Sequence, residues 1–135
     1  MNRHAYFFDR CCPRVLARVI KAYEDAEVRY FDDDARFEKT TMDEAWLSTL
    51  AGDSTEWVII SADANILRKP HELAVLQSSR LKFFLLGKAW QNMNIHEKCV
   101  NLLKAWPRVV TTAAQTRHRL FEIHGGSGLK IEERS

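Results

Sequence analysis

The sequence predicts a doubly wound α/β domain with a mainly parallel central sheet, helices on both faces and a C-terminal hairpin. Three observations carry this. The runs Ala5-Tyr6-Phe7-Phe8, Trp57-Val58-Ile59-Ile60 and Phe83-Phe84-Leu85-Leu86 have almost no polar interruption, which is the pattern of strands buried on both faces. The segments between them repeat apolar residues at helical spacing. Strands and helices alternate through most of the chain, which favours a parallel sheet with right-handed crossovers.

The elements follow in order. Residues 5–9 form the first strand. Pro13 suits the first turn of a helix, where its missing N–H costs nothing. Val15/Val19/Tyr23 and Leu16/Ile20 then recur every four residues, predicting an amphipathic helix over 13–24. A second strand is expected near 27–31. Thr41 followed by Glu44 is a capping-box pattern, and Trp46, Leu47 and Leu50 supply the buried face of the helix it opens. Residues 57–61 make the third strand, Pro70 opens a helix over about 70–78, and 81–86 make the fourth strand. A longer helix runs from about Asn94 with Ile95, Cys99, Leu102, Leu103 and Trp106 on one face, and Pro107 is expected to kink or end it. Residues 117–124 read as a strand, and Gly125-Gly126-Ser127-Gly128 turns it toward a short edge at Leu129-Lys130-Ile131.

The 135 residues, 46% hydrophobic and 28% charged, are expected to form a single domain over 1–135 with an ordinary core. Neither a signal peptide nor a membrane span is expected. Three cysteines, including the adjacent Cys11 and Cys12, show no metal-ligand spacing and suit a reduced, cytoplasmic setting; Cys11-Cys12 reads as small, buried packing at the helix start. His4, His71, His96, His118 and His124 are scattered without zinc spacing. There is no Gly-rich phosphate loop and no Gly-x-Ser-x-Gly elbow, so nucleophilic serine or cysteine catalysis has no support. Net charge is only +2, but residues 24–44 carry a local balance of −6 and the rest of the chain +8. A cationic surround could grip phosphates about an acidic centre; solvated surface is the plainer account of most of these charges.

Asp9 and Asp63 each end an apolar strand, and Asp43 opens a helix. In open parallel sheets, chemistry collects at the carboxyl ends of the strands where strand order reverses. A charge ending a run as apolar as Tyr6-Phe7-Phe8 must reach solvent or gain a partner. Carboxylates gathered there repel one another and call for a shared proton or a divalent cation. The combination suggests a metal-dependent phosphodiesterase. The structural alternatives are a turn-capping role for Asp9 and Asp63 and a helix-dipole role for Asp43. Glu44, with its capping role, and Glu72, in a first helical turn, are weaker candidates. Arg10, Arg68 and Lys69 lie beside these acids and are candidates for phosphate contact. Arg14, Arg18 and Lys21 form one stripe on the first helix, better read as a solvated face.

The segments Phe7-Phe8-Asp9-Arg10-Cys11 with Pro13, Asp43-Glu44-Ala45-Trp46-Leu47, Trp57 to Asp63 leading to Ile66 and Lys69-Pro70-x-Glu72, and later Ala105-Trp106-Pro107-Arg108, resemble PIN-like domains of the VapC toxin type. The likeness spans roughly residues 6 to 124. It implies a PIN-type fold, Mg²⁺ or Mn²⁺ held by clustered acids, and cleavage of single-stranded RNA or tRNA by an endoribonuclease. It also implies a toxin–antitoxin setting with a small antitoxin protein as partner, and is compatible with a homodimer. Position by position it marks Asp9, Asp43 and Asp63 as catalytic metal ligands. Related sequences often carry a second acid two residues after the one matching Asp63; here that position is Asn65, so Glu72 or Glu44 would have to compensate. A degenerate PIN-like module that binds RNA or a partner without cutting is the alternative that Asn65 supports. A receiver-like phospho-acceptor domain ranks below it, because the chain has only Asp9 near the first strand and no clear Lys after the last parallel one.

Overall fold

The computed structural model describes residues 4–126 and 128–134. The elements are β1 (His4–Phe8), α1 (Arg14–Tyr23), β2 (Val28–Tyr30), α2 (Asp43–Ala51), β3 (Glu56–Ser61), α3 (Pro70–Ser78), β4 (Lys82–Leu86), α4 (Ile95–Gln115), β5 (Leu120–Ile123) and β6 (Ile131–Arg134). Short 3₁₀ turns at Phe31–Asp33, Ala64–Arg68 and Lys88–Asn92 join them. The sheet order is β2-β1-β3-β4-β5-β6. β1 to β5 run parallel, and β6 returns antiparallel to β5 as the expected hairpin.

Alternation along the strands builds two separate cores. Tyr6 and Phe8 of β1, Val58 and Ile60 of β3, and Phe84 of β4 pack with Leu16 and Ile20 of α1 and Leu102, Trp106 and Val109 of α4. Phe7, Ile59, Phe83 and Leu85 point the other way and meet Trp46, Leu47 and Leu50 of α2 and Leu76 of α3. α1 and α4 therefore cover one face, α2 and α3 the other. This is what right-handed crossovers require when the chain reverses its direction of travel across the sheet. Strand order reverses between β1 and β3, and Asp9 and Asp63 follow their carboxyl ends.

Aromatic packing is dense on the α2 side, where Phe7 stacks on Trp46 at 5.5 Å and meets Phe31, Phe37 and Trp57 edge-on. That cluster anchors the acidic loop between β2 and α2, which is otherwise short of apolar residues. Asp34 ties down the rest of the loop. It is buried and accepts from Arg36 Nη2 at 2.8 Å and Arg29 Nη1 at 3.0 Å, while Arg36 also reaches Asp53 at 2.9 Å. β2, the loop and the end of α2 are thereby joined by one charge network.

Several expectations are corrected. Thr41 and Glu44 form no capping box: Met42 is the N-cap of α2 and makes no side-chain cap bond. Thr41 Oγ1 instead accepts from the Glu38 N–H at 2.8 Å, and Glu44 is exposed with His71 Nδ1 at 3.6 Å. Pro107 does not end its helix, which continues to Gln115. Pro107 and Leu103 are both exposed, so the carbonyl deprived of its i+4 donor can be satisfied by water. The Val15/Val19/Tyr23 row lies at the rim of α1, with Tyr23 59% exposed, and the buried face is Leu16, Ala17 and Ile20. On α4, Ile95 and Leu103 are exposed; Ala105, Val109 and Ala113 complete the buried stripe instead. Cys12 is buried as expected, whereas Cys11 is exposed. The last strand begins at Ile131, later than the expected edge at 129–131, because Gly128 and Leu129 take positive φ (81° and 47°) and prolong the turn. Ser127 of the glycine-rich turn lies outside the described residues. Among the described residues, no helix is long and apolar enough to cross a membrane.

The Asp34 network yields a stability prediction. Its arginines hold the Asp34 carboxyl far below the ordinary carboxylate range, chiefly through the Arg36 hydrogen bonds. A depressed folded pKa gives stability that is present above the unfolded value of about 3.9 and is lost as pH falls below it. Asp34→Asn should therefore lower unfolding free energy near neutral pH by roughly 1.5–3 kcal/mol, the scale for hydrogen bonds to a charged group. The deficit should shrink as pH falls below about 4, as read by urea unfolding across pH.

Candidate functional site

The site starts from Asp9. β1 is covered on both faces, and the Asp9 N–H extends its ladder by donating to Ile60 of β3 at 3.0 Å. The residue is consequently only 2% exposed. Oδ2 accepts from Ser61 Oγ at 2.9 Å and from Cys11 Sγ at 3.3 Å. Oδ1 is buried with no hydrogen-bond partner. Burial is the main influence on this carboxyl and raises its pKa. The hydrogen bonds from Ser61 and Cys11 oppose the rise, the negative charge of Asp43 adds to it, and the net shift is upward.

Ser61, the last residue of β3, connects Asp9 to Asp63. Its Oγ donates to Asp9 and accepts from the Asp63 N–H at 3.0 Å. Asp63 in turn is the N-cap of the following 3₁₀ turn, where Oδ1 accepts from the Asn65 N–H at 3.0 Å. The turn-capping alternative thus holds for one of its two oxygens. The Cys11 sulfur accepts from the Ala62 N–H at 3.2 Å, closing the turn over Asp9.

Asp43 enters from the first turn of α2. Oδ1 accepts from Trp46 Nε1 at 3.0 Å and Arg10 Nη2 at 3.2 Å, and Oδ2 accepts from Lys69 Nζ at 3.2 Å. Burial alone would raise this carboxyl, but the Trp46 hydrogen bond and the Lys69 and Arg10 charges outweigh it, and Asp43 sits below the ordinary range. Lys69 also lies 3.7 Å from Glu72 Oε2 and feels the charge of Asp63. One ammonium group is therefore shared between Asp43 and Glu72, within the field of Asp63.

Arg10, expected to contact phosphate, is committed to the protein. It donates to the carbonyls of Lys39 at 3.0 Å and Thr41 at 2.7 Å and stacks over Phe31 at 4.6 Å. Arg68 is exposed and donates to Asn65 Oδ1 at 3.5 Å. Glu44 points away toward His71. Arg14 of the helical stripe is held by Asp33 and Asp32.

Ser61 and Cys11, which orient Asp9, were not picked out from the sequence. Their position beside two strand-terminal aspartates was the available signal: a hydroxyl ending β3 and a thiol two residues after Asp9 both face the switch point.

The donors suit a hard divalent cation, which takes carboxylate oxygens, and the orphaned Asp9 Oδ1 is an acceptor in want of a positive partner. Among the described residues, however, no group of three or more His, Cys, Asp or Glu is already gathered closely enough to hold an ion. Asp43 and Glu72 pair with Lys69 instead.

The chain matches the family of PIN like domains over residues 5–88, which contain every residue of this cluster, and it belongs to that family. Comparison with curated proteins and with solved structures gives no match. The match decides a question that strand order leaves open, since β2-β1-β3-β4-β5 is also the order of receiver and flavodoxin-like sheets. Ala105-Trp106-Pro107-Arg108, quoted above for the resemblance, falls outside the matched span.

The raised Asp9 carboxyl has a consequence for pH dependence in divalent-free buffer. A group whose folded pKa is raised costs stability as pH climbs from the unfolded value, about 3.9, through the folded one. Wild type should lose stability relative to Asp9→Asn over that interval and hold a constant difference above it. Parallel thermal melts of the two proteins from acid to neutral pH check this; a difference that does not change with pH would contradict it.

Proposed function

We propose that this PIN-like domain is a metal-dependent endoribonuclease acting on single-stranded RNA, tRNA included, with Asp9, Asp43 and Asp63 holding Mg²⁺ or Mn²⁺. The observation that carries the reading is the buried Oδ1 of Asp9, without a hydrogen-bond partner at the sheet's switch point and within the field of the Asp43 carboxylate. A bound divalent ion supplies a Lewis acid for a phosphoryl oxygen and a water of lowered pKa. The chain's own residues do the positioning. Ser61 and Cys11 fix the Asp9 carboxylate, Trp46 and Arg10 fix that of Asp43, and the Asn65 N–H fixes that of Asp63. Lys69, half exposed, can leave Asp43 when a stronger cation arrives and turn to the RNA backbone, with Arg68 alongside; Glu72, relieved of the ammonium, then adds to the acidic field.

The finer reading is the toxin of a toxin–antitoxin pair. Asp43 and Glu72 already accept a side-chain cation from this same chain, so an antitoxin that inserts an Arg or Lys would use acceptors that are in place. Removing such an inserted, desolvated cation should cost roughly 2–5 kcal/mol of binding. A second reading, a PIN-like module that binds RNA without cutting, draws on two observations: Asn65 in place of an acid, and the Lys69 ammonium among the carboxylates.

Cleavage of labelled single-stranded RNA in Mn²⁺ separates the readings. Asp9→Asn and Asp43→Asn should each reduce the rate by about 10²-fold or more, the scale on which loss of a transition-state charge partner is felt. Glu44→Gln, at an exposed carboxylate turned toward His71, should cut normally. Metal-dependent RNA binding without cleavage in wild type would favour the binding module.

A further inference from the structure

The opposite edge of the sheet carries the opposite charge. The amino ends of β4 and β5 bring Arg80, Lys82, Arg117 and Arg119 together, about 15–20 Å from the carboxyl edge by strand length. They line two adjoining grooves of about 360 and 600 Å³, with Arg80 and Arg119 in the walls of both.

Lys82 has a structural duty. It is buried and donates to the carbonyls of Thr116 at 2.6 Å and His118 at 3.2 Å. It thereby serves the end of α4, whose last turn has no basic residue of its own, and favours the negative pole of that helix. The arginines have no such duty. Arg117 and Arg119 have no ion-pair partner among the described residues, and Arg119 repels the Lys82 ammonium. Arg80 is 82% exposed at its side chain and, among the described residues, has only Glu56 as an ion-pair partner, at 3.8 Å. Among the described residues the carboxylates nearby are Glu56, which also faces His4 at 4.0 Å, Asp53, which is taken up by Arg36 and Trp57, and Glu133, which faces His118 at 3.9 Å. The fold therefore concentrates positive charge here around an ammonium it cannot move.

We propose that this edge is a second nucleic-acid contact, in which Arg80, Arg117 and Arg119 hold the phosphodiester backbone of single-stranded RNA away from the carboxylates. The choice of RNA over other polyanions rests on the nuclease reading above. Arginine forks suit phosphate oxygens, and contacts of this kind fix a strand's path without reading its sequence. The edge lies beyond the reach of a short oligonucleotide seated at Asp9, so it would select long substrates.

The test is fluorescence anisotropy with a long labelled oligouridylate, in metal-free buffer and in an Asp9→Asn background so that no cutting occurs. Arg80→Ala/Arg117→Ala/Arg119→Ala should weaken binding about tenfold or more near 0.1 M salt. The slope of log affinity against log salt should fall by about 2, since each single-strand phosphate contact contributes roughly 0.7. The matching triple lysine variant should retain most of the slope. If the triple alanine variant fails to fold, Arg117→Ala alone, at an exposed position, should lower the slope by about 0.7. An unchanged affinity and slope overturns the proposal, as does polyglutamate competing as well as oligouridylate at equal charge. The slope decides the matter whether or not the wild type cuts RNA, so failure of this contact and failure of the nuclease reading are read separately.

Discussion

Everything at the candidate site follows from the difficulty of keeping carboxylates together at the covered end of a parallel sheet. β1 and β3 are buried on both faces, so Asp9 emerges into protein rather than water, and its charge is disfavoured there. The surroundings answer with donors and cations. Ser61 and Cys11 take one Asp9 oxygen, while Arg10 and Lys69 converge on Asp43. Even distant features serve this arrangement: the Arg29–Asp34–Arg36–Asp53 network secures the loop whose carbonyls hold Arg10, and Arg10 in turn holds Asp43.

The strands were legible because burial on both faces leaves a nearly uninterrupted apolar run, and β1, β3 and β4 fall within a residue of where that signal puts them. α3 lies where Pro70 opens it. Helix faces were read less well. On α1 and α4 two apolar rows competed, and only contact with the sheet chose Leu16 and Ile20 over Val15 and Tyr23. The Thr41–Glu44 pattern misled because Thr41 could satisfy a nearer donor, the Glu38 N–H, within its own loop. Conversely, Asn94 and Glu97 do form a reciprocal capping box, a four-residue signature present in the sequence and passed over.

At the site, topology foretells that Asp9 and Asp63 follow the two strands flanking the switch point, where Ser61 bridges them, and that Asp43 opens α2, whence its charge reaches Asp9. What local sequence could not convey was the direction of the basic side chains. Arg10 follows Asp9 directly, yet it turns toward the backbone of residues 39 and 41. Lys69 crosses to Asp43, 26 positions away in the chain. Such choices depend on tertiary distance and on which acceptors lack other partners, and neither is written in local spacing. The same limit hid the basic edge, whose residues lie in two separate segments brought together by β4–β5 pairing.

On the reading proposed above, Asp9, Asp43 and Asp63 hold a divalent cation that competes with the Lys69 ammonium for Asp43. Mn²⁺ binding measured by electron paramagnetic resonance of the free ion, with no RNA present, tests it most directly in three proteins. Wild type should bind saturably and Asp9→Asn should not. Lys69→Gln should bind more tightly than wild type, because the ammonium that competes for Asp43 is gone. Binding that is absent from both wild type and Lys69→Gln, or that is undiminished in Asp9→Asn, would contradict the account.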